Sequence, residues 1–394
     1  MSEQARPKPL AGIRVIELAR VLAGPWACQI MADMGADVIK VEHPDGDDTR
    51  HWGPPFVTAE DGTHLSAAYY HAANRGKRSI IADFHTEEGR DIVRRLVKTA
   101  DVVVENFKVG GLAKFGLDAA SLQRENPELI YCSITGFGQT GPYAHFAGYD
   151  YIVQGMSGLM SITGVPDGEP MKSGVAVADL FTGVYAVVAI EAALIERART
   201  GKGCHIDMAL LDVQAGTLAN QGMNYLVSGK NPRRVGNSHV NIAPYEVMNV
   251  KDGHIILAVG NDGQFQRLCG ILGIEEVAHD QRFATNEVRL DNHQMLTALL
   301  NDQTLKWKRD DLLHACEANA VPSGPINKIS EMFADPQIIH RGLKVDSADD
   351  EGNIIPGVRT PIMFDGVAVD SGKPSARLGE HSAEIMIELE RKTL

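Results

Sequence analysis

The chain has 394 residues, enough for two domains or for one large domain with an insertion, each around a sizeable core. Hydrophobic residues make up 44% and charged residues 23%, a globular balance that excludes disorder. The formal net charge of -13 argues against a nucleic-acid partner, so any phosphate-bearing ligand must find local positive charge.

Residues 1–9 carry an early acid and no apolar stretch, so neither a secretion signal nor a transit peptide is expected. No apolar run reads as long enough to cross a bilayer, and a cytoplasmic protein without membrane contact is the expectation. The cysteines, Cys28, Cys132, Cys204, Cys269 and Cys316, are odd in number and scattered, with no CxxC spacing for a metal or redox pair. They read as small buried hydrophobes in a reducing compartment.

A βαβ pattern opens the chain: an apolar run at 13–18, a helix from Gly24-Pro25 to Met34, a stop at Gly35 and a strand at 38–41. Strand-like runs follow at 79–84, 102–105 and 129–134, with helices over 86–98 and 119–125. Such alternation predicts a parallel sheet covered on both faces. A long apolar helix is predicted over 180–199, then a short strand at 205–208, a helix over 212–227 and a polar linker at 228–234. Segment 245–326 begins afresh with strands at 245–250 and 254–259 and continues in helices. From 329 the chain turns often, and a last helix over 382–389 returns it to the first domain. The expected organisation is therefore a discontinuous large α/β domain over 1–227 and 329–394 and a small α+β domain over 240–328.

Gly136-Phe-Gly-Gln-Thr-Gly141 matches a dinucleotide fingerprint, but Pro142 and a loop follow it where that motif needs a helix, and no acid stands about twenty residues on. Walker A, HExxH and GxSxG patterns are missing, so no metal site is expected and serine chemistry has no support. Arg75-Gly-Lys77-Arg78 concentrates positive charge before a strand; it reads either as a solvated turn or as a phosphate loop at the sheet end. Glu105-Asn106-Phe107-Lys108 follows another strand and offers an amide, an aromatic face and a cation in one turn. Asp179 is an isolated acid at the start of the long helix, which fits an N-cap and equally a carboxylate nucleophile held ionised by the helix end.

Six blocks in order carry a resemblance over nearly the whole chain: Leu22-Ala-Gly-Pro25, Gly35-Ala-Asp-Val-Ile-Lys-Val-Glu42, Asn74-Arg-Gly-Lys-Arg-Ser79, Asp101-Val-Val-Val-Glu-Asn-Phe107, Ser133-Ile-Thr-Gly-Phe-Gly-Gln-Thr-Gly-Pro142 and the Asp179 segment. With these the chain resembles the class III CoA-transferases. The resemblance implies a Rossmann-like large domain with a smaller α+β domain, an interlinked homodimer, and no permanently bound cofactor. It assigns Asp179 the nucleophile's role. It places coenzyme A along Leu22, Ala23, His43, Asn74, Arg75, Lys77, Asn106, Phe107 and Lys114. Oxyanion donors and part of the substrate site are implied at Gly260, Asn261 and Gln264.

In the related acyl-CoA racemases a histidine precedes the aspartate after the glycine-rich turn, whereas here Tyr149 precedes Asp150. The resemblance within the family is greatest to members using dicarboxylates, through Arg20-Val-Leu-Ala-Gly-Pro25, Asp47-Asp-Thr-Arg-His-Trp-Gly-Pro-Pro-Phe-Val57 and Tyr131-Cys-Ser-Ile-Thr135. An acyl-CoA donor and a free acid such as succinate or glutarate are the expected substrates. Arg50 is the candidate for gripping the distal carboxylate, against a plainer reading as a surface ion pair with Asp47 or Asp48. A racemase, a thioesterase and a non-enzymatic acyl-CoA-binding protein remain as alternatives.

Overall fold

The computed structural model describes residues 8–391, and the rest of the N-terminal stretch read above for targeting lies outside the described residues. The first elements are β1 (Arg14–Glu17), α1 (Ala23–Asp33), β2 (Asp37–Glu42), β3 (Arg78–Ile81), α2 (Glu87–Val97), β4 (Val102–Glu105), α3 (Ala119–Glu125) and β5 (Ile130–Thr135). They are followed by α4 (Asp150–Met156), α5 (Val177–Thr200) and β6 (His205–Ala209). The six strands form one parallel sheet in the order β3-β2-β1-β4-β5-β6, with Ile16 beside Ile39 on one side and Val103 on the other. Numbered along the sheet this is the 3-2-1-4-5-6 Rossmann order, whose ligand crevice opens where the order reverses, between β1 and β4.

Side chains alternate across a strand, so each face of the sheet needs its own cover. Val15, Val38, Val102 and Val104 pack with α1 and α5 on one face. Ile16, Ile39, Ile80 and Val103 pack with α2, α3 and the helix Ser382–Arg391 on the other.

The chain divides into two compact units, one built from the segment ending at Leu159 with Ser173–Val227 and everything from Pro336, the other from Met160–Lys172 and Ser228–Asp335. Residues 160–172, read from sequence with the first domain, belong to the second unit because Arg234 donates to the carbonyls of Ser161, Val165 and Gly168. Residues 329–335 belong to it as well. In that unit β7 (Tyr245–Val250), β8 (Gly253–Ala258) and β9 (Ser323–Pro325) make an antiparallel sheet in the order β9-β8-β7. Helices including α6 (Asp262–Leu272) cover it over a separate core centred on Phe265, Leu296 and Leu312.

Two expectations need correction. The helix drawn over 212–227 is two helices, Leu210–Gly216 and Ala219–Ser228, broken where Ala219 takes φ +47°. Among the described residues one helix, α5, also has the length and mean hydropathy (1.8) to cross a bilayer, where no such run was expected. Its inner face (Ala186, Ile190, Ala193) and its outer face (Val184, Val188, Ile195) are both apolar, which gives the run its high hydropathy.

Candidate active site

A cavity of about 590 Å³ lies in the first unit, outside the carboxyl ends of the parallel strands. Its walls come from the loops after β1, β2, β3, β4 and β5, together with the first turn of α5. This is the crevice expected at the switch point of a doubly wound sheet. The loop between β1 and α1 is built unusually, with Val21 at φ +71°, a conformation costly for a β-branched residue. Asp47 holds it there by accepting the Val21 N–H at 3.3 Å. Leu22 then caps α1 without a side-chain bond, leaving helix-end N–H groups at the cavity wall that suit an anion.

Asn106 joins this loop to the one after β4. Its Oδ1 accepts the Arg20 N–H at 2.9 Å and its Nδ2 donates to the Arg20 carbonyl at 2.6 Å. The side chain is thereby committed to backbone, so Asn106 positions the crevice. The neighbouring Phe107 ring has the Arg20 guanidinium 5.5 Å from its centroid, and its N–H is held at 2.7 Å by Glu105. Burial pushes Glu105 up to about 6, against the bonds from Ser133 and Phe107 that favour its charge. Arg20, Lys108 and Lys114 supply exposed positive charge to the cavity walls. In a chain of net charge -13 that is the local reversal a phosphate-bearing ligand needs.

Asp179 faces the same cavity from the third residue of α5 and is half-buried. It is not the N-cap. Asp150, the first residue of α4, caps α5 from outside, its Oδ1 accepting the N–H of Ala178 at 2.8 Å and of Asp179 at 3.4 Å. The helix-end groups that were expected to hold Asp179 ionised are thus taken by a second carboxylate. Burial first, and then Asp150, push the Asp179 pKa up to about 7. A carboxylate so placed is poorly solvated and reactive toward an electrophilic carbonyl.

Of the residues read from sequence, Leu22, Ala23, His43, Asn106, Phe107, Lys114, Tyr149 and Asp179 come together in this cavity. The basic loop does not. Lys77 is buried, its Nζ 2.7 Å from Glu17, 2.8 Å from Asn74 Oδ1 and 2.9 Å from the Pro25 carbonyl. Asn74 is fully buried, and Arg75 pairs with Asp33 and donates to the Val358 carbonyl. These cations are buried, neutralise acids inside the fold and do not line the cavity.

Arg50 is likewise unavailable as a carboxylate grip. Its donors go to both oxygens of Glu42 (2.8 and 2.6 Å), to Tyr70 Oη (2.6 Å), to Ser66 and to the Ala376 carbonyl, and Tyr70 lies against its face. It is neither a substrate contact nor the surface pair with Asp47 or Asp48. Gly260, Asn261 and Gln264 lie in the second unit as the capped start of α6. There Gln264 Oε1 already accepts the Gly260 N–H at 2.7 Å, so that amide is occupied.

The glycine fingerprint has a packing reason. A Cβ on Gly136 would stand 2.4 Å from Gly148 Cα, so the loops carrying them touch through backbone at the cavity wall. Sequence reasoning missed Asp150 and Glu105, and for Asp150 a signal existed: an acid opening a short helix. Its partner, the start of α5, lies nearly thirty positions on, so spacing could not reveal the cap.

The model of CoA-transferase family III matches residues 10–382. The chain is 67% identical over 386 residues to the succinate–glutarate CoA-transferase of Agrobacterium fabrum, covering 98% of this chain and 96% of that protein. It is 40% identical over 396 residues to human succinyl-CoA:glutarate CoA-transferase, covering 99% and 88%. Among solved structures it is similar to a CAIB/BAIF family protein from Brucella suis, with TM-score 0.88, 60% identity and coverage of 98% and 100%. An enzyme that exchanges coenzyme A between carboxylic acids accounts for the crevice, its cations and its reactive carboxylate together, and the chain belongs to CoA-transferase family III.

Proposed function

We propose that the protein moves coenzyme A from succinyl-CoA to glutarate, or between similar dicarboxylic acids, through a covalent intermediate on Asp179. The observation that carries this reading is a half-buried carboxylate, raised toward neutral pH, on the wall of a switch-point cavity that also holds positive charge. The relatives named above, at 67% and 40% identity, support the dicarboxylate.

In the first step an Asp179 oxygen attacks the thioester carbonyl of the donor, the C–S bond breaks, and the CoA thiolate leaves. The resulting mixed anhydride is attacked at the aspartyl carbonyl by that thiolate, which expels the donor's carboxylate and leaves an aspartyl-CoA thioester. The acceptor carboxylate then attacks the same carbonyl and releases the thiolate, which takes the acceptor acyl group and restores Asp179. Each step exchanges one leaving group for one nucleophile, so no net proton is moved. Exclusion of water keeps the activated aspartate from hydrolysis.

The reading includes a homodimer. Phe181, Val184, Tyr185, Val188 and Ile195 form an exposed apolar stripe along α5 at helical spacing. A second copy covering it would be seen as a dimer mass by sedimentation. A cytoplasmic location fits five free cysteines.

The substrate assignment is tested by incubating the protein with succinyl-CoA and a panel of mono- and dicarboxylic acids, with new thioesters identified by mass spectrometry. Glutaryl-CoA should form with the highest kcat/KM. Preference for a monocarboxylate, or CoA release without an acceptor, would contradict it.

A further inference from the structure

One strained turn lies at the switch point of the sheet. Four non-glycine residues among those described take a positive φ, and Val21 is the β-branched one, the type for which that backbone is most costly. It stands two residues before α1, whose first residue, Ala23, lines the cavity. Strain of this kind persists only where the surroundings over-determine it. Here they are a buried ion pair reaching from β2 and the loop after it. Lys40 Nζ lies 2.9 Å from Asp47 Oδ2 and 3.0 Å from Glu17 Oε1, and it donates to the Ala19 carbonyl at 3.0 Å. All three ammonium donors are thereby used, and one of them holds the chain two residues before Val21. Asp47 in turn accepts the Val21 N–H at 3.3 Å, while Thr49 donates its N–H and its hydroxyl to the other oxygen at 3.0 and 2.8 Å. We propose that Lys40 and Asp47 are positioning residues for the transfer reaction, their buried pair holding Val21 left-handed so that the start of α1 is set against the coenzyme A portion of the substrates.

This rests on the cavity's being the coenzyme A site and is independent of which acids are exchanged. The side chains of Lys40 and Asp47 are 1% and 0% exposed, so water cannot take the place of either partner. Burial favours the neutral form of Asp47, but the Lys40 charge and the bonds from Lys40 and Thr49 prevail and hold its pKa at about 2. Burial also opposes the charge on Lys40, and Glu17, Asp47 and Glu42 outweigh it. The pair is therefore charged at every working pH, a fixed brace and not a pH switch. A Cβ on Gly24 would stand 2.4 Å from the Ala19 Cβ, so the loop closes tightly on α1 and a shift at Ala19 or Val21 passes to the helix start. A loop already fixed in its binding conformation loses no affinity to being ordered.

The test compares Asp47→Ala and Lys40→Met with wild type, each also in a Val21→Gly background, because glycine takes this φ without strain. Kinetics with an acyl-CoA donor and a free acid give kcat and both KM values, and calorimetric titration gives the Kd for coenzyme A. With Val21 in place, each variant should raise KM for acyl-CoA and Kd for coenzyme A roughly tenfold or more, with KM for the acid nearly unchanged. In the Val21→Gly background each should raise them only about twofold relative to Val21→Gly alone. A role in stability alone would lower Tm and the active fraction, hence kcat, and leave KM for acyl-CoA where it was. Asp47→Asn keeps the volume and an acceptor oxygen, and it reads the same coupling if Asp47→Ala does not fold. Equal increases in both backgrounds, or an unchanged KM for acyl-CoA with Val21 in place, would overturn the proposal. A wild type that binds no coenzyme A would overturn it together with the reading of the cavity.

Discussion

At Asp179 two effects on a carboxylate oppose each other. A helix N-terminus favours the charged form, by about 0.3 to 1 kcal/mol at an exposed position, but Asp150 has taken the N–H groups and adds its own charge. Burial and that neighbour prevail, with the pKa raised to about 7. Activity that needs the carboxylate should therefore rise with pH through about 7. Asp150→Asn removes the second cause, so the rising limb of kcat/KM against pH should move to lower pH, with some loss of Tm from the weakened cap. An unmoved limb would show that Asp150 does not set the acidity of Asp179. The stability sign follows from the same shift. An acid whose pKa is raised on folding destabilises the fold increasingly as pH rises from its ordinary 3.8 to about 7. Asp179→Asn should thus raise Tm at pH 8 and leave it nearly unchanged near pH 4, as calorimetry would show.

Among the elements, β4, α3 and β7 were legible to the residue, β4 from its continuous apolar run and β7 from its alternation. What the sequence hid is which way loop side chains turn. Lys77 and Lys114 look alike in sequence, yet Lys77 is locked onto buried Glu17 while Lys114 is exposed at the cavity. Lys77→Ala should lower stability by about 1.5 to 3 kcal/mol, since it takes one of two buried ammonium partners from Glu17 and leaves it only Lys40. Lys114→Ala should leave Tm alone and weaken every CoA thioester about tenfold, whatever its acyl group. Denaturant unfolding and CoA titration of both variants separate the two roles, and loss of CoA affinity at full stability in Lys77→Ala would reverse them. The contact between Gly136 and Gly148 gives a further check. A Cβ at Gly148 would stand 2.2 Å from Gly136 Cα, so Gly148→Ala should cost about 1 to 3 kcal/mol and loosen CoA binding together with it. Unchanged thermal stability would mean the loops part without cost.

For the whole molecule, the strand order makes one crevice, and the chemistry gathers there from loops far apart in the chain. The α/β class was legible from alternating elements, and the main contributors to the cavity from motif blocks at strand ends. The membership of 160–172 in the second unit was not legible, because it depends on Arg234 reaching three carbonyls that no periodicity encodes. The cavity has one role for Asp179, and that role leaves a mark on the intact protein. Wild type mixed with succinyl-CoA and quenched at once should show, by intact mass and peptide mapping, a covalent adduct confined to Asp179, and Asp179→Asn should show neither adduct nor transfer. An adduct on another residue, or near-normal transfer by Asp179→Asn, would contradict the covalent role of Asp179.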